Sequence, residues 1–364
     1  MSAGKSVTLF IPTFAAGGAE RVTINLAAAL TATGHKVTIL TQRPDGPLVN
    51  TIPPNIAVAT LGGNRSLLSF LPLMRYMQRA KPDVFIANMG HGNIISLWAR
   101  TLAKMPMRLL CCQHSLLSAE TKAHKNWQYK ILPLLYRIFL PWADGIVAVS
   151  NAVAVDLAET AHIPLDKITV IYNPIVGPDF AEKSRQKNSH PWFAENAPPV
   201  ILGIGRLSEE KDFTTLIKAF ALARKNKDLR LVILGEGSKR SELQQLAKQL
   251  GIDEYVLLPG FQPNPLPFIR NAALVAVSSH YEGMSNVVVE ALACGTNIVS
   301  TNCGGPPEIL EAGRYGKLVP VGDDTAMATA MLETLDHPQD ATLLRQRGIH
   351  FTFERAAGLY TQLF

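Results

Sequence analysis

At 364 residues the chain exceeds what one hydrophobic core comfortably holds, and two domains of roughly 150 to 200 residues each are expected. Its net charge of +6 is lopsided: residues 1–170 hold 16 Lys and Arg against 8 Asp and Glu, the remainder 19 against 21. The basic front half suits an acidic partner, and no apolar run nears the roughly 18 residues that span a bilayer, which excludes a bundle of membrane helices.

The first element is VTLFIP (7–12), a nearly continuous apolar strand ending at Pro12. GAERVTINLAAALTATGHK (18–36) then carries apolar residues at helical spacing and closes at Gly34, and VTILTQ (37–42) is the next strand. The rhythm recurs through PDVFIANMG (82–90), RLLCCQH (108–114), GIVAVS (145–150) and ITVIYN (168–173). Over 174–198 it lapses into a polar, proline-rich stretch, read as a linker. It restarts with PVILGIGR (199–206), a helix over 213–226, LRLVILGEG (229–237), a helix over 239–250, YVLLPG (255–260), ALVAVSS (273–279) and TNIVST (296–301). Buried apolar strands alternating with helices predict parallel sheets covered on both faces. The fold class is therefore α/β: two doubly wound, Rossmann-like parallel-sheet domains over 1–173 and 199–349, facing a cleft. Ligands are expected at the carboxyl edges of the strands. Cys111, Cys112, Cys294 and Cys303 fit neither a disulfide framework nor zinc spacing, and no signal peptide is recognisable, so reduced thiols in a cytoplasmic compartment are expected.

Three carboxyl-edge loops carry chemistry. Gly17 and Gly18, after the first strand, allow close backbone approach to a ligand, and the helix that follows offers free N–H groups that favour an anion. A simple strand-to-helix turn explains the same residues. In GIGRLSEEKD (203–212), Arg206 and Lys211 share a polar loop that can clamp a diphosphate, or are ordinary surface charges. In YEGMSNVVVEALACG (281–295), Glu282 precedes a predicted helix start near Ser285 and Glu290 lies about a turn and a half inside it. A carboxylate among valines needs a partner. Sugar or ribose hydroxyls would serve, as would a structural Arg or Lys, and the amides of Gly283, Met284, Ser285 and Asn286 suit a phosphate or sugar oxygens.

The three loops, in this order in two wound halves, resemble the retaining nucleotide-sugar glycosyltransferases of the GT-B fold with the Glu-x7-Glu motif, glycosyltransferase family four. The resemblance runs from IPTFAAGGAERVTINLA through GRLSEEKD, LGEGSKRSEL and EGMSNVVVEALACG to VPVGD. It implies that Arg206 and Lys211 neutralise the donor diphosphate and that Glu290 binds ribose hydroxyls. Glu282 would lie near the donor sugar, and Gly283, Met284, Ser285 and Asn286 would hold sugar and phosphate. Gly17 and Gly18 would close over the phosphate, Gly260, Phe261 and Gln262 would contact the base, and His114 would contact the sugar. It further implies retention of configuration, a uridine diphosphate donor, and no cofactor beyond that donor. The chain has no Asp-x-Asp pair for a metal, and cationic side chains are expected to do that task.

The acceptor side is read from KAHKNWQYKILPLLYRIFLPWADG (122–145), where cations and aromatics flank an apolar centre. This is the composition of a helix at an anionic membrane surface, and also that of a core helix with snorkelling charges. SLLSFLPLMRYMQRAKP (66–82) is a second candidate, and Asn88 and His91 are placed toward the acceptor. Such an enzyme would sit peripherally at the inner face of a bacterial cell membrane and extend a lipid-linked or saccharide acceptor. Residues 350–364 resemble the terminal helix that returns to the first domain. The alternatives are a same-fold sugar-nucleotide epimerase and a non-catalytic nucleotide-sugar-binding subunit. A nicotinamide dehydrogenase lacks its G-x-G-x-x-G, and a nucleic-acid partner lacks a recognisable module.

Overall fold

The structure, a computed structural model, describes residues 4–15, 17–62, 69–123 and 126–364. It divides into two compact units, Met1–Gly177 with Phe351–Phe364, and Pro178–His350.

The first unit opens with β1 (Ser6–Ile11), α1 (Gly18–Ala32), β2 (Lys36–Thr41) and β3 (Ala57–Thr60). It continues through α2 (Phe70–Ala80), β4 (Val84–Asn88), α3 (Gly90–Ala103), β5 (Arg108–Gln113), α4 (Leu117–Ala123) and α5 (Trp127–Phe139). The last elements before the boundary are β6 (Gly145–Ala148), α6 (Asn151–Ala161) and β7 (Ile168–Val170). All seven strands pair in parallel, in the order β3-β2-β1-β4-β5-β6-β7. Central β4 is buried along its whole length, as a strand covered on both faces must be. Edge strand β3, AVAT, is only four residues long, small-residue and largely exposed, so the sequence pattern passed over it.

The second unit holds α7 (Phe180–Ser184), β8 (Val200–Ile204), α8 (Phe213–Arg224), β9 (Arg230–Leu234), α9 (Arg240–Gln249) and β10 (Val256–Gly260). There follow α10 (Leu266–Asn271), β11 (Leu274–Val277), α11 (Asn286–Cys294), β12 (Asn297–Thr301), α12 (Pro306–Ile309), β13 (Lys317–Val319), α13 (Asp324–Asp336) and α14 (Ala341–Gly348). Its six strands are parallel in the order β10-β9-β8-β11-β12-β13. Helix α8 supplies Phe213, Leu216, Ile217 and Phe220 to the core on one face of this sheet. Asp212 starts that helix by accepting from the Thr215 amide, which satisfies one of the otherwise orphaned N–H groups.

The stretch expected as a linker is only partly one. Residues 178–198 group with the second unit. Asn264 Nδ2 donates to the Lys183 carbonyl at 3.0 Å, and the Phe193 and Phe268 rings meet edge to face at 5.5 Å. Phe180 and Phe193 give this polar, aperiodic segment apolar anchors that its composition hid.

The chain re-enters the first unit at Phe351 and ends in α15 (Phe353–Gln362). The amides of Ile175 and Val176 both donate to the Phe351 carbonyl at 3.0 Å, and the Phe353 amide donates to Val176 at 3.1 Å. The end of the first pass, residues 175–176, and the returning chain at 351–353 are therefore paired within the first unit. Helix α15 packs on α1, and its buried Tyr360 hydroxyl meets Cys112 Sγ at 3.4 Å on β5.

Candidate active site

In each sheet the winding reverses once, between β1 and β4 and between β8 and β11. Loops that leave the two strands flanking such a reversal turn to opposite sides and leave a crevice at the carboxyl edge. In the second unit those loops are 205–212, after β8, and 278–285, after β11.

They are tied together at several points. Lys211 Nζ donates to Glu282 Oε1 at 2.6 Å, and Ser279 Oγ donates to the same oxygen at 2.7 Å. Ser278 Oγ donates to the Lys211 carbonyl at 2.8 Å, and the His280 amide to the Glu210 carbonyl at 2.8 Å. Burial works against the Lys211 charge, but the Glu282 carboxylate outweighs it and holds the ammonium above its ordinary pKa. The lysine is therefore fully charged at neutral pH. Arg206, on the same loop, is exposed.

Glycines set how closely these loops approach. A Cβ on Gly235, after β9, would lie 1.9 Å from the Gly205 carbonyl oxygen, and its φ of +142° also favours glycine. Gly205 in turn leaves room for the Lys211 stem, whose carbons would stand 3.3 Å from a Cβ there. Gly260 (φ +89°) ends β10 and turns the chain into Phe261.

Helix α11 begins where the sequence placed it. Gly283 and Met284 are buried, and Ser285 adopts a left-handed conformation (φ 39°, ψ 81°) with a buried Oγ that has no partner and makes no cap bond. A serine that forgoes capping in a strained backbone is an outlier of the kind that clusters at ligand sites. Glu290 is buried in the second turn, 3% exposed. Burial, then the Glu290 charge, push the neighbouring Cys294 thiol up to about 12.

The first unit places its candidates separately. Gly17 caps α1, and a Cβ there would sit 2.1 Å from Glu20 Oε2. The carboxylate at this helix N-terminus is thus the protein's own Glu20, buried in the first turn, a residue that the reading of the glycine pair missed. His114 follows β5, with Nε2 2.9 Å from Asn88 Oδ1. Asn88 Nδ2 donates to the Phe10 carbonyl, which makes Oδ1 the acceptor and puts the His114 proton on Nε2. Burial lowers the His114 pKa to about 4, so the ring is neutral at pH 7, and its Nδ1 is buried without a partner. His91 follows β4 and stacks edge to face on Tyr129 at 5.1 Å. Among the described residues no three His, Cys, Asp or Glu side chains converge in a way that could hold a metal ion.

Residues 16–176 match Glycosyltransferase Family 4, and residues 184–351 match Glycosyl transferases group 1. The chain belongs to this glycosyltransferase family. The transferase is 28% identical over 338 residues to an N-acetylgalactosamine-N,N'-diacetylbacillosaminyl-diphospho-undecaprenol 4-alpha-N-acetylgalactosaminyltransferase of Campylobacter jejuni, covering 90% of this chain and 89% of that one. It is 24% identical over 301 residues to the amylovoran biosynthesis glycosyltransferase AmsD of Erwinia amylovora, covering 82% and 81%. The crystal structure of Anabaena HepE in complex with UDP-glucose aligns with TM-score 0.80 at 21% identity, over 99% of this chain and 98% of that one. Sucrose-phosphate synthase from Thermosynechococcus elongatus aligns with TM-score 0.82 at 20% identity over the same shares. These likenesses establish the two-domain, Rossmann-like GT-B fold for the transferase.

Proposed function

We propose that this transferase is a retaining, metal-independent hexosyltransferase that moves a sugar from a uridine diphosphate sugar to a lipid-linked acceptor in cell-surface polysaccharide or glycan assembly. The observation that carries the reading is the meeting of Lys211 and Glu282 at the reversal point of the second sheet, in the loop that opens α11. Breaking a glycosyl–phosphate bond leaves negative charge on the diphosphate. Lys211, Arg206 and the first amides of α11 are preorganised cationic and dipolar partners for it. In this reading Glu290 accepts hydrogen bonds from the ribose, Phe261 lies against the base, and residues 283–286 hold the sugar. The acceptor oxygen bonds to the anomeric carbon on the face that the diphosphate leaves, and its proton passes to a departing phosphate oxygen. Support for the donor comes from the UDP-glucose bound to HepE, and for the acceptor from the diphospho-undecaprenol in the name of the Campylobacter relative.

The test is thermal unfolding against a panel of nucleotide sugars, for the wild type and Glu290→Ala. A ligand at 100 times its dissociation constant stabilises by about 2.7 kcal/mol. The expected outcome is a shift with one uridine diphosphate sugar that the variant loses, and transfer to a polyprenyl-diphosphate sugar that a chelator leaves unchanged. Interconversion of the donor without an acceptor would point to an epimerase instead, and binding without turnover to a non-catalytic subunit.

Membrane contact is part of the proposal. No helix among the described residues is long and apolar enough to cross a bilayer. Helix α5 buries Leu132 and Tyr136 but leaves Trp127, Ile131, Leu134, Ile138 and, just beyond it, Trp142 at 36–64% exposure. The spacing of four, three, four and four puts them in one stripe. Residues 61–144 hold 11 Lys and Arg against 3 Asp and Glu, which accounts for the whole excess of the front half. An apolar stripe in a basic field suits an anionic leaflet, with 122–145 as the contacting segment. Residues 124–125 of it, and 66–68 of the second candidate, lie outside the described residues. Binding to phosphatidylglycerol vesicles that falls in a Leu134→Asp/Ile138→Asp variant is the expected outcome, and equal binding by both proteins would remove this part.

A further inference from the structure

Two donors converge on one oxygen of Glu282. Oε1 accepts from Lys211 Nζ at 2.6 Å and from Ser279 Oγ at 2.7 Å, and no described residue donates to Oε2. The Glu282 side chain is 12% exposed, so the second oxygen is not sealed in. Ser279 itself is 1% exposed and stands on a fixed support: Thr301 Oγ1, at the end of β12, donates to the Ser279 carbonyl at 2.7 Å. The backbone on the far side is held too. The Gly305 amide donates to the Glu282 carbonyl at 3.1 Å, and a Cβ on Gly305 would lie 2.4 Å from the Gly283 oxygen.

The terminal torsion of a glutamate is broad and roughly two-fold. A lysine alone therefore leaves the carboxylate free to exchange its oxygens or to turn both toward the ammonium. A second donor from a different direction removes that freedom. Lys211 arrives from the loop after β8 and Ser279 from the loop after β11, so their common acceptor is fixed by two adjacent strands.

Resting on the donor reading above, we propose that Ser279 is a positioning residue: it divides the Glu282 carboxylate between Oε1, which anchors Lys211 for the diphosphate, and Oε2, which is presented to a hydroxyl of the donor sugar. The diphosphate and sugar contacts are thereby linked through one side chain. Without Ser279 the carboxylate turns fully onto Lys211, and the sugar loses its acceptor while the diphosphate keeps its cation.

The experiment is calorimetric titration of the full chain, wild type, Ser279→Ala and Ser279→Thr, with UDP and with UDP-glucose, UDP-galactose and their two N-acetylhexosamine counterparts. Loss of one hydrogen bond to a charged group predicts that Ser279→Ala weakens the preferred sugar nucleotide about tenfold but UDP by less than about twofold, with threonine restoring the difference. A parallel loss for both ligands, or none, overturns the positioning role and leaves the donor reading standing. A wild type that binds none of these nucleotides overturns both. If Ser279→Ala does not fold, Glu282→Gln keeps the side-chain volume and reads the same split: UDP retained, sugar nucleotide about tenfold weaker. There too a parallel loss overturns the role.

Discussion

Replacing Lys211 with alanine separates a structural ion pair from a catalytic cation. The two side chains of the pair are 22% and 12% exposed. Exposed pairs contribute about 0.2–1 kcal/mol, and breaking a fully buried one costs about 3–5 kcal/mol. A half-buried pair falls between, so Lys211→Ala is expected to destabilise by about 1–2 kcal/mol, or about 2–8 °C in melting temperature for a unit of this size. The pH dependence has a definite sign. The folded pKa of Lys211 is raised above its ordinary value of 10.5, burial opposing the charge and Glu282 outweighing it. The lysine's contribution is thus complete below the unfolded pKa and is lost only as pH rises through the folded one. Between about pH 6 and 9 its share of the difference in melting temperature should stay flat. Activity should respond far more, because removing one preorganised partner of developing charge lowers kcat by about 10²–10³-fold. Melting curves and initial rates on the same preparations give both numbers. A variant that melts lower but keeps kcat within about threefold of the wild type would show that the pair is only structural, and the role given to Lys211 would fall.

Gly235→Ala should destabilise the second unit by about 2 kcal/mol or more, read as a lower urea midpoint, because its Cβ would lie 1.9 Å from the Gly205 carbonyl oxygen while the Gly205 and Gly235 amides are held by the Leu234 and Gly260 carbonyls. UDP binding should fall with it. Burial sets the His114 pKa near 4 against 6.5 unfolded, so the stability linked to it is complete above pH 6.5 and drains as pH falls toward 4. His114→Asn should flatten that slope by about 1–3 kcal/mol, and an unchanged acid limb would refute the assignment. Tyr360→Ala removes a ring that is 3% exposed and should cost the first unit about 3–5 kcal/mol, whereas a loss under about 1 kcal/mol would mean that α15 is not integral to that unit.

Much of this protein was written locally. Strands such as VFIAN and RLVIL declare themselves because a strand covered on both faces is apolar over nearly its whole length, with polar residues only at its ends, and helices such as α1 and α8 because one face repeats every three to four residues. The start of α11 at Asn286, with Glu282 before it and Glu290 inside it, was legible for the same reason: backbone propensity and spacing act over a few residues. Edge strands β3 and β13, four and three residues long, escaped because an edge needs no continuous apolar run. Tertiary structure alone decided the strand order, and with it where each winding reverses. Because β11 pairs with β8, Lys211 and Glu282 meet across 71 residues of chain. That β12 pairs with β11 puts Thr301 under Ser279. Tertiary structure also decided that Glu20 covers Gly17 and that the apolar stripe of α5 faces outward while Leu132 and Tyr136 face in. Side-chain periodicity fixes what each segment becomes, but contacts between distant segments depend on pairing and packing, which no short window of sequence contains.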